Sequence, residues 1–323
     1  MIKSQAPLLS IVVPVYNEAS GLLGFHKKLI DIAQKTTSSS YEIIYCDDGS
    51  TDDSALVIRQ LSKDNPAVVL LKLSRNFGKE ISTTAGIHVA RGQAIITLDA
   101  DGQHPLELIP EFLRRWQAGA RVVVGVRTAN HKEGLVKRFG SKLFYRLFNR
   151  LSGMRLLPGS TDYRLIDRTV QREFMKMSER SRITRGLIDW LGFERSYIKF
   201  RANPRLSDQA GYSNKKLFKL AIDSIVSLSL SPLYVSAYIG AVVLPLSALL
   251  GVGMLLNTVF GDPLSLHVTG SAYIVVLILF LVGILLVSQG IIGLYLSHIH
   301  TETQNRPLYI IDKGNSIGIH DEN

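Results

Sequence analysis

Two long stretches without a charged residue occupy most of the last third of the chain. No Asp, Glu, Lys or Arg occurs between Asp223 and Asp262, and none occurs between Asp262 and Glu302. The apolar runs 233–258 and 271–297 each exceed the roughly 20 residues that a helix needs to cross a bilayer. The sequence therefore predicts a hairpin of two transmembrane helices. Two buried helices of a soluble bundle are the alternative, but such helices normally carry a polar stripe.

The distribution of basic residues predicts which side of the membrane the rest of the chain occupies. Six Lys and Arg residues lie from Lys199 to Lys219, before the first predicted span, whereas the connecting loop 257–270 has none. Because basic flanks stay in the cytosol, residues 1–231 are expected to form a cytosolic domain, joined there by the tail 301–323. We therefore expect a multi-pass protein of the cytoplasmic membrane with both termini in the cytosol, beginning with a core strand rather than a signal peptide.

Charge and cysteine content narrow the choice of partners. The chain has 37 Lys and Arg against 27 Asp and Glu, a net charge of +10. Beside two predicted spans, an anionic membrane surface accounts for this charge more simply than nucleic acid, so no nucleic-acid partner is expected. Cys46 is the only cysteine, which excludes an intrachain disulfide and a cysteine zinc site and fits a reducing compartment.

Two basic amphipathic segments are expected to form helices near the membrane. In 132–151 and 214–230, apolar residues recur at helical spacing among Lys and Arg. This pattern suits an interface with anionic lipid, although a helix packed on the domain's own core would show the same apolar spacing. The predicted order is a domain over 1–231, the hairpin within 232–300 and the tail 301–323. Short hairpin spans also suggest a homo-oligomer.

Short β-branched runs alternate with amphipathic stretches from Leu9 to about Val126. Strands are expected at 9–16, 41–47, 67–73, 94–100 and 121–127, with helices at 19–35, 52–62, 78–91 and 106–118. This alternation predicts an α/β fold with a mostly parallel sheet, flanked by helices and binding ligands at the carboxyl ends of its strands.

Acidic side chains lie at or beyond the ends of three of these strands. Asp99 and Asp101 lie where the apolar run AIITL of the fourth strand ends, and there both carboxylates can reach one hard divalent cation that would neutralise a leaving diphosphate. Asp48 follows the second strand and is interpreted as an acceptor for a nucleobase or ribose. At the end of the first strand, Tyr16 can flank a base and Glu18 can accept a hydroxyl hydrogen bond. Ordinary loops and helix caps are the alternatives at each position.

The motifs occur in an order that resembles a known family. VVPVYNE, YCDDGSTDDS, LSRNFGKEISTTAGI, ITLDADGQHP and VVGVR precede the basic segment and the two apolar runs. This combination resembles the inverting family 2 glycosyltransferases with a GT-A fold, and more narrowly the polyprenyl-phosphate glycosyltransferases. The resemblance covers nearly the whole chain.

The resemblance implies roles for individual residues. Those matching nucleotide-sugar positions are Pro14, Tyr16, Glu18, Asp48, Lys79 and Asp99. Those matching the metal motif, for Mg²⁺ or Mn²⁺, are Asp99, Asp101 and Gln103. Those matching positions of catalysis or of the acceptor phosphate are Asp101, Arg127, Arg138, Ser141, Asp162, Arg205 and Lys215. The basic residues could instead be solvated or lipid-facing, and Asp162 could cap a helix. The run AGYSNKK leaves open whether Lys215 or Lys216 takes the last position.

The implied reaction is transfer of a hexose to undecaprenyl or another polyprenyl phosphate, with inversion. UDP-glucose is the expected donor, with GDP-mannose or a UDP-aminopentose as alternatives. A processive polysaccharide synthase is a rival, but Arg115-Trp116 lies in the wrong context for its acceptor motif. A non-catalytic nucleotide-sugar-binding membrane scaffold is a second rival, which the intact Asp99 and Asp101 disfavour.

Overall fold

The computed structural model describes residues 6–38, 40–128, 159–180, 182–203 and 270–319, together with Leu249, Leu256 and Phe260. The chain divides into two compact units. The first comprises Met1–Asn149, Met154–Gly211 and Arg306–Asn323, and the second comprises Arg150–Gly153 and Tyr212–Asn305. The tail therefore belongs, from Arg306 onward, to the same unit as the predicted α/β domain.

The first unit is built on a seven-stranded sheet in the order β3-β2-β1-β4-β6-β5-β7. Its strands are β1 Leu9–Val15, β2 Tyr41–Asp47, β3 Val68–Lys72, β4 Ala94–Thr97, β5 Val122–Arg127, β6 Ser160–Asp167 and β7 Arg195–Phe200. β6 runs antiparallel to both of its neighbours, whereas the other pairings are parallel. The predicted α/β class with a mostly parallel sheet is confirmed.

Helices cover both faces of this sheet. They are α1 Ala19–Thr37, α2 Ser54–Asp64, α3 Lys79–Val89, α4 Ile109–Gln117, α5 Arg168–Met175 and α6 Thr184–Trp190. Ile11 and Val13 of β1 pack with α1, α2 and α4 in one core cluster, whereas Val12 packs with α3, α5 and α6 in another. Because side chains alternate along a strand, a strand covered on both faces is apolar at nearly every position, as LSIVVPV is.

The C-terminal tail pairs with the outer edge of the sheet. Leu70 forms an antiparallel bridge with Ile317, and Leu73 forms one with Ile311. The N–H of Asp312 also donates to the carbonyl of Lys72 at 2.8 Å. An edge strand presents unpaired backbone groups that invite aggregation, and the tail satisfies several of those on β3.

The second unit is described mainly by α7, Gly270–Thr303, a helix of 34 residues. α7 coincides with the second predicted span, 271–297. The first predicted span lies outside the described residues apart from Leu249 and Leu256, and so do the amphipathic segments 132–151 and 214–230. Among the residues described, no helix has the combination of length and apolar content that crossing a membrane requires. The hairpin therefore stays a prediction.

Candidate active site

The strand order reverses between β1 and β4. β2 and β3 follow on one side of β1, and β4 lies on the other. Pairing of β1 with β4 ends at Val12 and Thr97, whereas pairing with β2 continues to Val15 and Asp47. Ligands of open α/β sheets bind at such a switch point, beyond the carboxyl ends of the strands. Pro14 suits this part of β1 because a strand position without a partner on one side needs no N–H donor there.

Hydrogen bonds join the loop after β1 to the loop after β2. Asn17 has a left-handed backbone, with φ of 56°, and its side-chain oxygen accepts the N–H of Thr51 at 2.8 Å. Its own N–H donates to Ser50 Oγ at 3.1 Å. The Asp52 carboxylate accepts the first N–H of α1 at 3.1 Å, so this loop supplies the N-terminal cap of a neighbouring helix.

Tyr16 and Glu18, the predicted nucleotide contacts of this loop, lie on either side of Asn17. Tyr16 is 45% exposed although it follows a buried strand, and Glu18 is half-buried. The structure thus places both residues at the switch point, in the loop that follows β1.

Asp48 and Gly49 hold the loop that precedes α3. The two oxygens of Asp48 accept the N–H groups of Phe77 and Gly78 at 2.8 and 2.9 Å. Gly49 has φ of 68°, and a Cβ on it would lie 2.6 Å from the backbone carbon of Arg75. Only glycine tolerates both the angle and the contact. The described contacts of the Asp48 carboxylate are therefore to the backbone, and its predicted role in nucleotide binding stays a prediction.

These contacts of Asp48 and Gly49 fix the position of Lys79, the first residue of α3. Its ammonium lies 2.7 Å from Asp99 Oδ1 and 2.8 Å from Asp99 Oδ2. The same ammonium lies 3.0 Å from Asp162 Oδ2. Asp162 comes from β6, and its carbonyl accepts the Thr97 hydroxyl at 2.6 Å. Three segments that are distant in sequence thus bring two carboxylates onto one cation.

The charges in this cluster shift one another's pKa values. Burial alone would lower the pKa of Lys79, but the carboxylates of Asp99 and Asp162 raise it above its ordinary value. Burial alone would likewise raise the pKa of Asp162, but Lys79 and Arg185 lower it to about 2. The Arg185 guanidinium lies 3.9 Å from Asp162 Oδ1. Lys79 and Asp162 are therefore both charged at neutral pH, and with Asp99 and Arg185 they form one ion-pair network.

The turn that follows β4 is held by its own side chains. Asp101 Oδ1 accepts the N–H of Gln103 at 3.0 Å, while Gly102 takes a left-handed φ of 73°. The N–H of Asp99 donates to Nδ1 of His104 at 3.1 Å. Burial lowers the pKa of His104, and an accepting Nδ1 fits the neutral ring with its proton on Nε2. His104 also stacks on Tyr163, with ring centroids 4.9 Å apart.

The carboxylates fit a divalent cation that takes part of its coordination from a ligand. In the described part of the chain, no three His, Cys, Asp or Glu residues lie close enough together to hold a metal ion by themselves. However, Asp99 and Asp162 already converge on one positive charge, the Lys79 ammonium, and Asp101 lies in the same turn as Asp99. Hard divalent cations prefer such oxygen donors and usually fill their remaining positions with water and phosphate.

Arg127 is the remaining predicted site residue among those described. It ends β5 with an exposed side chain, and its N–H donates to the carbonyl of Gly159 at 2.8 Å. β5 runs in the direction of β4, so Arg127 lies at the same edge of the sheet as Asp99. The predicted residues that lie outside the described part of the chain are Arg138, Ser141, Arg205 and Lys215.

Comparison with known proteins connects this site to a family. The model of the glycosyl transferase family 2 matches residues 10–174, from β1 into α5. The chain belongs to glycosyltransferase family 2. An uncharacterised glycosyltransferase of Synechocystis is 37% identical over 94% of both chains. A prophage-derived bactoprenol glucosyl transferase of Shigella flexneri is 36% identical, over 94% of this chain and 97% of that protein. A prophage bactoprenol glucosyl transferase homologue of Escherichia coli is 35% identical, over 94% and 98%.

Two interactions that the sequence did not reveal, one of them a buried ion pair, support the site of this glycosyltransferase. Arg164 of β6 is 1% exposed, forms an ion pair with Asp189 of α6 at 2.8 Å, and donates to the carbonyl of Thr161 at 3.0 Å. Glu80 accepts the N–H of Thr184, the first residue of α6, at 2.8 Å, and burial raises the pKa of Glu80. Both interactions fix α6 beside Asp162. The sequence signal for the first interaction is Arg164 itself, which lies between Tyr163 and Leu165. Because arginine is seldom buried without a partner, an arginine in such a position indicates a buried ion pair.

Proposed function

We propose that this glycosyltransferase transfers a hexose from a nucleotide sugar to undecaprenyl phosphate or a related polyprenyl phosphate. UDP-glucose is the proposed donor, and GDP-mannose and a UDP-aminopentose are the alternatives to test beside it. The product is a sugar linked to a lipid phosphate, which can serve cell-envelope glycosylation.

The observation that carries the proposal is the acidic cluster at the switch point. Asp99 and Asp162 converge on the Lys79 ammonium, within 3.0 Å, in a chain that aligns over 94% of its length with a protein named bactoprenol glucosyl transferase. A site with paired carboxylates and a lysine can accommodate an anionic diphosphate together with a cation. The relatives' name supports a polyprenyl acceptor and glucose as the sugar.

On the donor side, the residues at the ends of β1, β2 and β4 have separate tasks. Tyr16, exposed beside the switch point, can stack on the nucleobase, and Glu18 can accept a hydroxyl hydrogen bond. Asp99 and Asp101 would hold Mg²⁺ or Mn²⁺, with Gln103 as the third predicted ligand. When bound, such a cation supplies positive charge that stabilises the departing diphosphate.

The acceptor needs positioning more than it needs a base. A phosphate monoester has a second pKa of about 6, so it is largely ionised at neutral pH. One of its oxygens bonds to the anomeric carbon as the bond to the diphosphate breaks, and the nucleoside diphosphate leaves with the electron pair. In-line attack inverts the anomeric centre, so an α-linked donor gives a β-linked product. Arg127 is proposed to hold the acceptor phosphate, together with the predicted Arg138, Ser141, Arg205 and Lys215.

Asp162 is proposed to position groups rather than to remove a proton. Against the effect of burial, Lys79 and Arg185 lower its pKa to about 2. A general base is most effective when its pKa is near the working pH, and a carboxylate this acidic is a weak one. Its charge instead holds Lys79 and Arg185 beside the place where donor and acceptor meet.

A lipid acceptor requires the site to be close to a membrane. We propose that 233–258 and 271–297 cross the cytoplasmic membrane and that residues 1–231 face the cytosol. The charge-free stretches and the basic residues before the first of them support this arrangement. The amphipathic segments 132–151 and 214–230 would then lie at the lipid surface, where the acceptor's phosphate is found.

A transfer assay with several donors and acceptors tests the proposal. The full chain, purified in detergent with Mg²⁺ or Mn²⁺, is incubated with radiolabelled UDP-glucose, GDP-mannose or a UDP-aminopentose, with and without undecaprenyl phosphate. We expect label from UDP-glucose in the organic phase only when the lipid is present. Lipid labelled from another donor would replace glucose in the proposal. Label in a polymer would support the polysaccharide synthase, and no transfer from any donor would support the non-catalytic scaffold.

A further inference from the structure

Lys79 lies between the two carboxylates of the site, Asp99 and Asp162. Both oxygens of Asp99 lie within 2.8 Å of its ammonium, and Asp162 Oδ2 lies at 3.0 Å. An ammonium bonded to both oxygens of a carboxylate occupies one lone pair on each oxygen and repels a second cation at the same carboxylate. In this arrangement, Lys79 and a divalent cation therefore compete for Asp99.

The backbone of Lys79 is fixed, but its side chain has room to move. Asp48 binds the two N–H groups immediately before it, which anchors the start of α3. The Lys79 side chain is nevertheless 44% exposed. A long, flexible stem on a fixed backbone lets the ammonium change partners without rearrangement of the loop.

The two carboxylates would be affected differently by its departure. Asp162 keeps a second cation, Arg185, whose guanidinium lies 3.9 Å away. In the described part of the chain, the ion pair that Asp99 forms is with Lys79. Within the described part of the chain, loss of the ammonium would therefore leave Asp99 in particular without a counter-charge, and a divalent cation would supply it. The repulsion between that cation and a nearby ammonium disfavours binding of both to Asp99 at once.

We propose that Lys79 is an exchangeable counter-ion: it neutralises Asp99 and Asp162 before the donor binds, and moves to the donor's diphosphate when a divalent cation binds Asp99. The inference rests on the proposed function, because it needs an anionic diphosphate in the site. The cation on its own has to displace the ammonium into water, whereas a diphosphate offers the ammonium a new partner. Cation and donor therefore promote each other's binding, and this coupling is reciprocal.

Mn²⁺ binding to the full chain in detergent tests the exchange without measuring transfer. Free Mn²⁺ is followed by electron paramagnetic resonance, with and without UDP or GDP, for the native chain and for Lys79→Met. We expect Lys79→Met to bind Mn²⁺ alone at least about tenfold more tightly, since its competitor is gone. We also expect nucleotide to tighten Mn²⁺ binding less than in the native chain, because the diphosphate has lost its lysine.

Lys35→Met is the matched control, because Lys35 pairs with Asp31 at 2.7 Å on the exposed face of α1. It should bind Mn²⁺ as the native chain does. The exchange would be overturned if Lys79→Met has native thermal stability but binds Mn²⁺ no more tightly than the native chain does. It would also be overturned if nucleotide tightens Mn²⁺ binding equally in both chains. A chain that couples Mn²⁺ and nucleotide as expected but labels no lipid would instead refute the proposed acceptor and leave the exchange standing.

Discussion

Replacing Asp189 by alanine leaves a guanidinium in the protein interior without its carboxylate. Arg164 and Asp189 are 1% and 4% exposed, and they form an ion pair at 2.8 Å. Arg164 also donates to the carbonyls of Thr161 and Arg185, at 3.0 and 3.1 Å, but carbonyls do not neutralise its charge. Arg195, at 3.3 Å from Asp189, would lose its counter-charge as well.

Breaking a buried pair by removing one partner costs about 3–5 kcal/mol, mostly because the remaining charge is uncompensated. For a domain of this size, each kcal/mol lowers the melting temperature by roughly 2–4 °C. We therefore expect Asp189→Ala to lower the melting temperature of the full chain by roughly 6–20 °C. Donor turnover should also fall, since the carbonyl that Arg164 holds belongs to the residue before Asp162.

Thermal unfolding in detergent, followed by tryptophan fluorescence, measures the effect. Asp31→Ala is the matched control, because its ion pair with Lys35 is exposed and such pairs contribute about 1 kcal/mol or less. The double variant Arg164→Met with Asp189→Leu should regain most of the lost stability, as it removes both charges and fills the space. If Asp189→Ala melts at the same temperature as the control, the Arg164 charge does not depend on Asp189 for compensation.

Three further predictions concern the loops, the tail and pH. Gly49→Ala places a methyl group 2.6 Å from the backbone of Arg75, so we expect at least about a tenfold loss in kcat/KM for the donor from displacement of the loop before Lys79. Gly24→Ala, where a Cβ meets nothing within 4 Å, should keep native kinetics. Deleting 307–323 uncovers the edge of β3 and should produce aggregates in size-exclusion chromatography, and a monodisperse product would contradict the capping role. Burial and Arg182 lower the pKa of His88 to about 4, whereas unfolded histidine titrates near 6.5. Stability should therefore decline as pH falls from about 6.5 to about 4, by up to roughly 1.4 kcal/mol per unit, and His88→Gln should flatten that slope in melting curves.

The parallel half of the fold follows from local pattern. The run YEIIYCD predicts a strand over 41–47, and β2 has those bounds. Each strand in this part is apolar and continuous, and it is followed by a helix that returns the chain to the next parallel position. The acidic side chains at the strand ends were predictable for the same reason, because parallel strands bring their carboxyl ends to one edge.

The antiparallel strand and the tail depend on distant partners. β6 contains Asp162 and Arg164, and its pairing with β4 joins residues more than sixty positions apart, such as Thr97 and Arg164. From the sequence, Asp162 could equally be a helix cap. In the structure the cap of α5 is Asp167, whose side chain accepts the N–H of Thr169 at 2.8 Å. The bond from Lys79 to Asp162 could not be predicted because it exists only once β6 is inserted beside β4.

Transfer of glucose from UDP-glucose to undecaprenyl phosphate, measured with and without EDTA for the native chain and for Asp101→Ala, decides whether the proposed site depends on a cation. We expect label in the lipid only for the native chain with a divalent cation present. Transfer that survives both EDTA and the loss of Asp101 would contradict a cation-dependent site at the carboxyl end of β4.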